Sequence, residues 1–200
     1  YRFVSTPSRF STTFDTTVAK LMEGARGDWL YRVPFSADPG DGVLLYPHYL
    51  LLGHLARWLN VEPVHIFNLA RLLSGAVLLF SLYAFIARFF DNIADRRLAF
   101  LVASIGSGFG WLAMLFGRLT PDVWQAEQFP FLSIMSNPHF PLAMAAFLWL
   151  ADALVEPSAL ARPFGFPKTR RVLYKLIMGA LILAIMQPYG LITLGIVSAL

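Results

Sequence analysis

Arg71 stands about two turns into the longest apolar run of the chain, with His65 and Asn68 at i−6 and i−3 near one face. A cation at that depth needs a carboxylate or an anionic ligand, unless its long stem carries the charge back to the boundary. Arg118, at the far end of the next apolar run, is a second anion candidate, and an interfacial anchor is its plainer reading. Ser136-Asn137-Pro138-His139-Phe140 opens a further run. A polar residue and a proline at a helix start are ordinary capping chemistry, which accounts for Asn137 and Pro138. His139 adds a ring nitrogen at the boundary that can hold a phosphate or a sugar hydroxyl, or serve as hydrogen-bonded scaffolding. Gln187-Pro188-Tyr189-Gly190 interrupts the last run. Gln187 lies roughly 22 Å along a helix counted from Val172. Pro188 bends the chain and frees a carbonyl, and polar groups at that depth line a cavity more often than a lipid face.

The carboxylates are fewer. Asp15 precedes a stretch in which Val18, Leu21, Met22 and Ala25 fall at i, i+3, i+4 and i+7, so it stands near the N-cap of a short amphipathic helix that Gly24 and Gly27 would end. Glu127 and Asp122 lie in a loop, where solvated charge is the ordinary fate and a functional carboxylate the sharper alternative. Gly106, Gly108 and Gly110 superficially suggest a nucleotide loop, but they sit in an apolar run where small residues let helices approach closely. His48 and His54 are six residues apart with no third ligand near in sequence, which argues against a protein-held zinc. No P-loop, Gly-x-Ser-x-Gly or His-Glu-x-x-His pattern is present.

The elements that must position these groups follow from composition. With 57% hydrophobic and 14% charged residues, 18 Phe and a mean hydropathy of +0.60, a soluble domain of 200 residues would lack polar surface. The expectation is an all-α, polytopic transmembrane bundle. Residues 64–90, 98–117, 139–155 and 172–200 are long and apolar enough to cross, the third only just. A first residue other than Met and an end within an apolar run suggest a piece of a longer polypeptide, with at least one span expected on each side. The lack of cysteine excludes disulfides and thiolate chemistry. The pI near 9.6 reflects loop charge, not nucleic-acid binding, since aromatic and basic residues are not interleaved on a polar surface.

Charge bias orients the bundle. Arg88, Arg96 and Arg97 surround the first loop, and Arg162, Lys168, Arg170, Arg171 and Lys175 surround the third, whereas the second is acidic on balance. Basic loops kept in the cytoplasm place residues 1–63 and 118–138 together on the external side. Residues 46–59 form an apolar helix of roughly 21 Å, too short to span. Were it a span, every later loop would invert and the most basic one would face outward, so it is read as lying on the membrane. The external segment 1–63 thus runs from a helix at about 15–26, through a Pro/Gly/Asp-rich loop over 28–42, to a helix at 46–59, with the bundle over 64–200.

An acidic residue before a short interfacial helix (Asp15), an aromatic-proline start to a second (Tyr46-Pro47), then Ala56-Arg57 and Ala70-Arg71, resembles the first external loop of GT-C superfamily glycosyltransferases. Ser136-Asn137-Pro138-His139-Phe140 is similar to a set found in uncharacterised bacterial members. These are integral membrane enzymes that take sugars from polyprenyl-phosphate carriers, among them the protein O-mannosyltransferases and lipid A aminoarabinose transferases. The paired acidic residues common in that loop are absent, as Thr16 and Thr17 follow Asp15. The resemblance implies a transferase of the bacterial inner or plasma membrane, active on its extracytoplasmic face, moving a hexosyl or pentosyl group from a polyprenyl-phosphate-linked sugar to an acceptor that the sequence leaves unidentified. It implies Asp15 as general base, Glu127 and His139 on the acceptor side with Asn137, and Arg71 or Arg118 on the departing phosphate. Gln187 and Tyr189 belong to the same external half. Some members of the family need a divalent cation and others do not. The rival readings are a transporter or flippase of lipid-linked sugars and an inactive scaffold of the same architecture.

Overall fold

The computed structural model describes residues 9–32, 40–106, 108, 110–118, 120, 125, 129–155 and 170–199, with the backbone alone at 9–16, 111, 171, 198 and 199. Its elements are helices: α1 (Arg9–Arg26), α2 (Pro47–Leu59), α3 (Pro63–Ile86), α4 (Ile93–Ile105), α5 (Gly110–Met114), α6 (Pro130–Ser136), α7 (His139–Val155), α8 (Arg170–Met186) and α9 (Pro188–Ala199). Among the described residues there is no strand, only an isolated antiparallel bridge between Tyr31 and Val43. The all-α expectation holds. Among the described residues one helix, α3, is by length and composition able to cross a membrane, and α7 and the two pieces 172–186 and 188–197 are shorter apolar helices.

The chain divides into two compact units, Tyr1–Ala70 and Arg71–Leu200. The boundary falls seven residues later than the expected 63/64 because the first two turns of α3 belong to unit 1: Phe67, fully buried, packs with Leu21 and Tyr49.

Unit 1 is built on a backbone-to-backbone crossing of α1 and α2. A Cβ placed on Gly53 would overlap the Leu21 carbonyl oxygen and lie 2.8 Å from the Gly24 Cα, and one on Gly24 would strike the Leu50 carbonyl. Gly24 is therefore a packing residue inside α1 and does not end it. Gly27 does: its φ of 108° is open to glycine and strained for other residues, and its N–H closes on the Gly24 carbonyl at 3.0 Å. Arg57 of α2 then donates to the Arg26 carbonyl at the end of α1. The crossing also rotates α1. Met22, expected in the buried stripe, is exposed, while Thr17, Glu23 and Gly24 are buried beside Leu21, because α2 approaches where the side chain is missing. Gly53→Ala should force the helices apart and cost about 1–3 kcal/mol. An unchanged thermal midpoint in that variant would contradict the crossing.

The start of α1 also differs from expectation. The helix runs back to Arg9, so Asp15 lies two turns inside it and not at its N-cap. The spacing of Phe10, Phe14, Val18 and Leu21 already carries the helical repeat upstream through the Ser/Thr-rich segment. In α2, Tyr49, Leu50, Gly53, His54 and Ala56 are buried, whereas Leu51, Leu55, Trp58 and Leu59 are exposed, an outward apolar stripe of the kind a membrane-lying helix needs. Asn60, left-handed at φ 53°, terminates α2, with Val61 donating to the Ala56 carbonyl.

In unit 2, α7 is the central element. Its small residues Ala143, Ala145, Ala146 and Ala153 are fully buried and allow close approach. Gly179 of α8 meets Leu150 and the Ala146 carbonyl, and Leu183 and Leu194 complete the core. Trp149 of α7 donates to the Ser81 hydroxyl of α3 at 2.8 Å, and Ser81 donates back to Val77, so the indole is fixed without an orphaned N–H.

The run 98–117 is not one helix. α4 ends at Ile105 and α5 begins at Gly110, because Gly106 turns to extended backbone and Gly108 takes a φ of 90°. These glycines break the helix where the sequence reading assigned them to packing. The stretch 118–138, expected as loop, contains α6, opened by Pro130. The last run, 172–200, is divided at Gln187 into α8 and α9.

Candidate functional site

The break between α8 and α9 borders a cavity of about 350 Å³ in unit 2, lined by Leu78 and Leu82 of α3, Pro130 of α6, Ala143 and Phe147 of α7, and Gln187, Tyr189 and Thr193. Pro188 cannot donate, so the ladder ends with the Gln187 N–H on the Leu183 carbonyl at 2.8 Å and resumes with Gly190 on the Gln187 carbonyl. The Gln187 side-chain amide makes no hydrogen bond among the described residues, whereas Thr193 is satisfied by the Tyr189 carbonyl at 3.1 Å. The walls are otherwise aliphatic and aromatic. The cavity can thus hold a hydrocarbon segment with one amide to spare for a polar group.

Arg71 approaches from α3 and donates through Nη1 to the Met135 carbonyl at 3.1 Å, on α6, the helix whose Pro130 lines the cavity. One guanidinium N–H is thereby anchored, leaving donors for an oxyanion. The contact is to a neutral backbone carbonyl and not to a carboxylate. Gly75, one turn on, admits Ile134 of α6 against the α3 backbone. Asn137, buried, ends α6; Pro138 turns the chain, and His139 starts α7 with its ring centroid 4.0 Å from that of Phe140.

The structure therefore gathers Gln187 and Tyr189 in one cavity and ties Arg71 to a helix that shares its wall, with Asn137 and His139 in the adjoining α6–α7 turn. Arg118 is not drawn in: it is exposed on the turn after α5 and lines none of the cavity. Glu127 and Asp122 lie outside the described residues, as does the Asp15 side chain. Comparison of the chain with models of known families, with curated proteins and with solved structures returns no match. Among the described residues no group of three His, Asp or Glu side chains is disposed to hold a metal ion.

Unit 1 holds a second concentration of polar groups that the sequence reading did not single out. Lys20 places its ammonium 3.6 Å from the centroid of the Tyr46 ring and 5.8 Å from that of Tyr49, and desolvation lowers its pKa. Glu23, buried one turn on, pairs with Arg26 at 2.9 Å. Tyr46 itself is left-handed, φ 55° and ψ 44°, an uncommon state for an aromatic residue, and its ring meets that of Tyr31 edge-on at 5.4 Å. The available signal was the pair of charges three apart between Leu21 and its apolar neighbours, which no amphipathic pattern predicts.

His48 carries a measurable consequence. Its Nε2 is buried without a hydrogen-bond partner, and burial pushes the imidazole down to about 4. The unfolded chain, with an ordinary His pKa near 6.5, binds the proton first. Stability is then fully present above about pH 6.5 and is lost as pH falls toward 4, by roughly 3 kcal/mol at most. Acid titration of the unfolding midpoint should show this slope, and His48→Phe should flatten it; an unaltered slope would assign the pH response elsewhere.

Proposed function

We propose that the chain is part of a polytopic membrane glycosyltransferase of GT-C type that moves a sugar from a polyprenyl-phosphate carrier to an acceptor on the extracytoplasmic face. The observation that carries this reading is the cavity at the α8–α9 break, which pairs an apolar lining with the unused Gln187 amide on a unit where Arg71 keeps donors free.

A membrane setting is supported by the outward faces. Phe80 of α3 is 77% exposed, α4 has no buried residue, and Leu72, Leu73, Ile177, Leu181, Ile192 and Ile196 are also exposed. Such outward apolar residues on several helices suit a hydrocarbon solvent. Arg71 and Ile86 are roughly 22 Å apart along α3, and Arg88 follows in the turn beyond, paired with Asp152 of α7 and through it with Lys175 of α8.

In this reading the isoprenoid chain enters the cavity and Arg71 neutralises the phosphate as the bond from its oxygen to the anomeric carbon breaks, where fixed positive charge counts most. The family resemblance implies Asp15 as the base that takes the proton from the acceptor hydroxyl as that oxygen attacks the anomeric carbon. His139, Asn137 and Glu127 contribute to the acceptor side.

The test is sugar transfer by membranes containing the full-length protein, supplied with a labelled polyprenyl-phosphate sugar. A new glycosidic product is expected. The break at Gln187–Pro188 also suits a transporter, whose discontinuous helices border substrate sites. That alternative would reveal itself as a changed sidedness of the lipid-linked sugar with no glycosidic product.

A further inference from the structure

Unit 1 carries an exposed edge without charge. From Val43 to Ala56 no Asp, Glu, Lys or Arg occurs, yet Val43, Leu44, Leu45, Leu51 and Leu55 are exposed, Leu44 by 69%. Two indoles join these residues into one face. Trp29, two residues before the Tyr31–Val43 bridge, stacks on the buried His54 ring with 3.8 Å between centroids. Trp58 of α2 lies 6.0 Å from the same ring, and both indoles remain more than half exposed. The 29–30 and 43–45 segments therefore adjoin the outward stripe of α2.

The covalent path indicates what covers this edge. α2 ends at Leu59, and α3, long and apolar enough to cross a membrane, begins at Pro63. Four residue steps reach at most about 14 Å, so the edge ends within that distance of the head of a spanning helix. Exposed Trp beside aliphatic residues is the composition of a segment at headgroup level. The bridge is also suited to a poorly hydrated layer. Tyr31 and Val43 donate to each other's carbonyls at 2.9 and 3.1 Å, and Leu45 donates to the Val43 carbonyl at 2.8 Å, so these three N–H groups need no water.

We propose that the 29–30 and 43–45 segments enter the headgroup layer of the bilayer beside α2, seating unit 1 on lipid by two elements instead of one. The inference rests on the membrane reading of α3 and is independent of sugar transfer. Because the edge holds no charge, its insertion is driven by apolar area, and zwitterionic lipid suffices. Residues 1–200 lack cysteine, so a nitroxide label can be placed at one site at a time through Leu44→Cys, Leu55→Cys, Glu62→Cys or Phe80→Cys. All four residues are exposed, and the fold should tolerate each change. The experiment uses full-length protein in phosphatidylcholine bilayers, with any cysteine outside residues 1–200 replaced by serine. The ratio of label collisions with dissolved oxygen to those with a water-soluble nickel chelate rises with depth. It should be severalfold higher for Leu44→Cys and Leu55→Cys than for Glu62→Cys, and highest for Phe80→Cys. A ratio for Leu44→Cys equal to that for Glu62→Cys, with Phe80→Cys still in lipid, would overturn the proposal. A Leu44→Cys label shielded from both reagents would overturn it as well, by placing protein over the turn. A water-like ratio for Phe80→Cys would defeat the membrane reading of α3 and this inference with it, whereas a lack of sugar transfer would leave all four ratios as expected.

Discussion

Asp15→Asn is expected to lower sugar transfer by about 10²–10⁴-fold while leaving abundance and the unfolding midpoint unchanged. The amide is the same size as the carboxylate and cannot accept the acceptor's proton at neutral pH, so only chemistry should suffer. The structure sharpens this expectation. An Asp at an N-cap would lose up to about 2 kcal/mol on replacement, and lower activity could then reflect a frayed helix. Asp15 instead lies two turns inside α1, where no capping role exists to be lost. A variant that transfers sugar at the original rate would remove Asp15 from the mechanism, and Glu23, the buried carboxylate on the same helix, would be the next residue to replace.

The largest effect on stability is expected at Asp152. Asp152→Ala removes the buried carboxylate that Arg88 and Lys175 share, and breaking such a set by removing one partner costs about 3–5 kcal/mol. Partial exposure of both cations places the value near the low end, about 3 kcal/mol. Removing Lys175 together with the anion should recover part of the loss, because the repulsion between the two cations is then gone. Thermal unfolding of Asp152→Ala and of Asp152→Ala with Lys175→Met in one detergent checks this. A double variant no more stable than the single one would show that lost packing, not repulsion, sets the cost.

The parts of the fold legible in the sequence are those with unambiguous punctuation. Asn137-Pro138 before an unbroken apolar stretch marks α7 from His139 to Val155 with the expected bounds, and Pro188 marks the division of the last run. The Gly106–Gly110 stretch was misassigned because glycine serves both close packing and chain breaking, and only the backbone angles separate the two uses. α6 is a single short helix of mixed polarity, too brief for its periodicity to stand out. Within the site, Gln187 and Tyr189 were readable as polar interruptions of an apolar run. Leu78, Ala143 and Phe147 were not, because a cavity wall and a packed core use the same residue types. Asp152 is an acid in an apolar helix that no local pattern marks as paired, since both its partners come from distant parts of the chain.

The distance between the polar ends of α7 bears on the membrane setting proposed above. His139 and Asp152 are thirteen residues apart in the sequence, roughly 20 Å along the axis, against a hydrocarbon layer of about 30 Å. Such a mismatch is relieved by pinching the bilayer inward, which brings opposing headgroups nearer to one another beside the protein. If the proposed membrane reading holds, a lipid diffusing into that thinned annulus would meet the protein with its headgroup displaced toward the bilayer midplane.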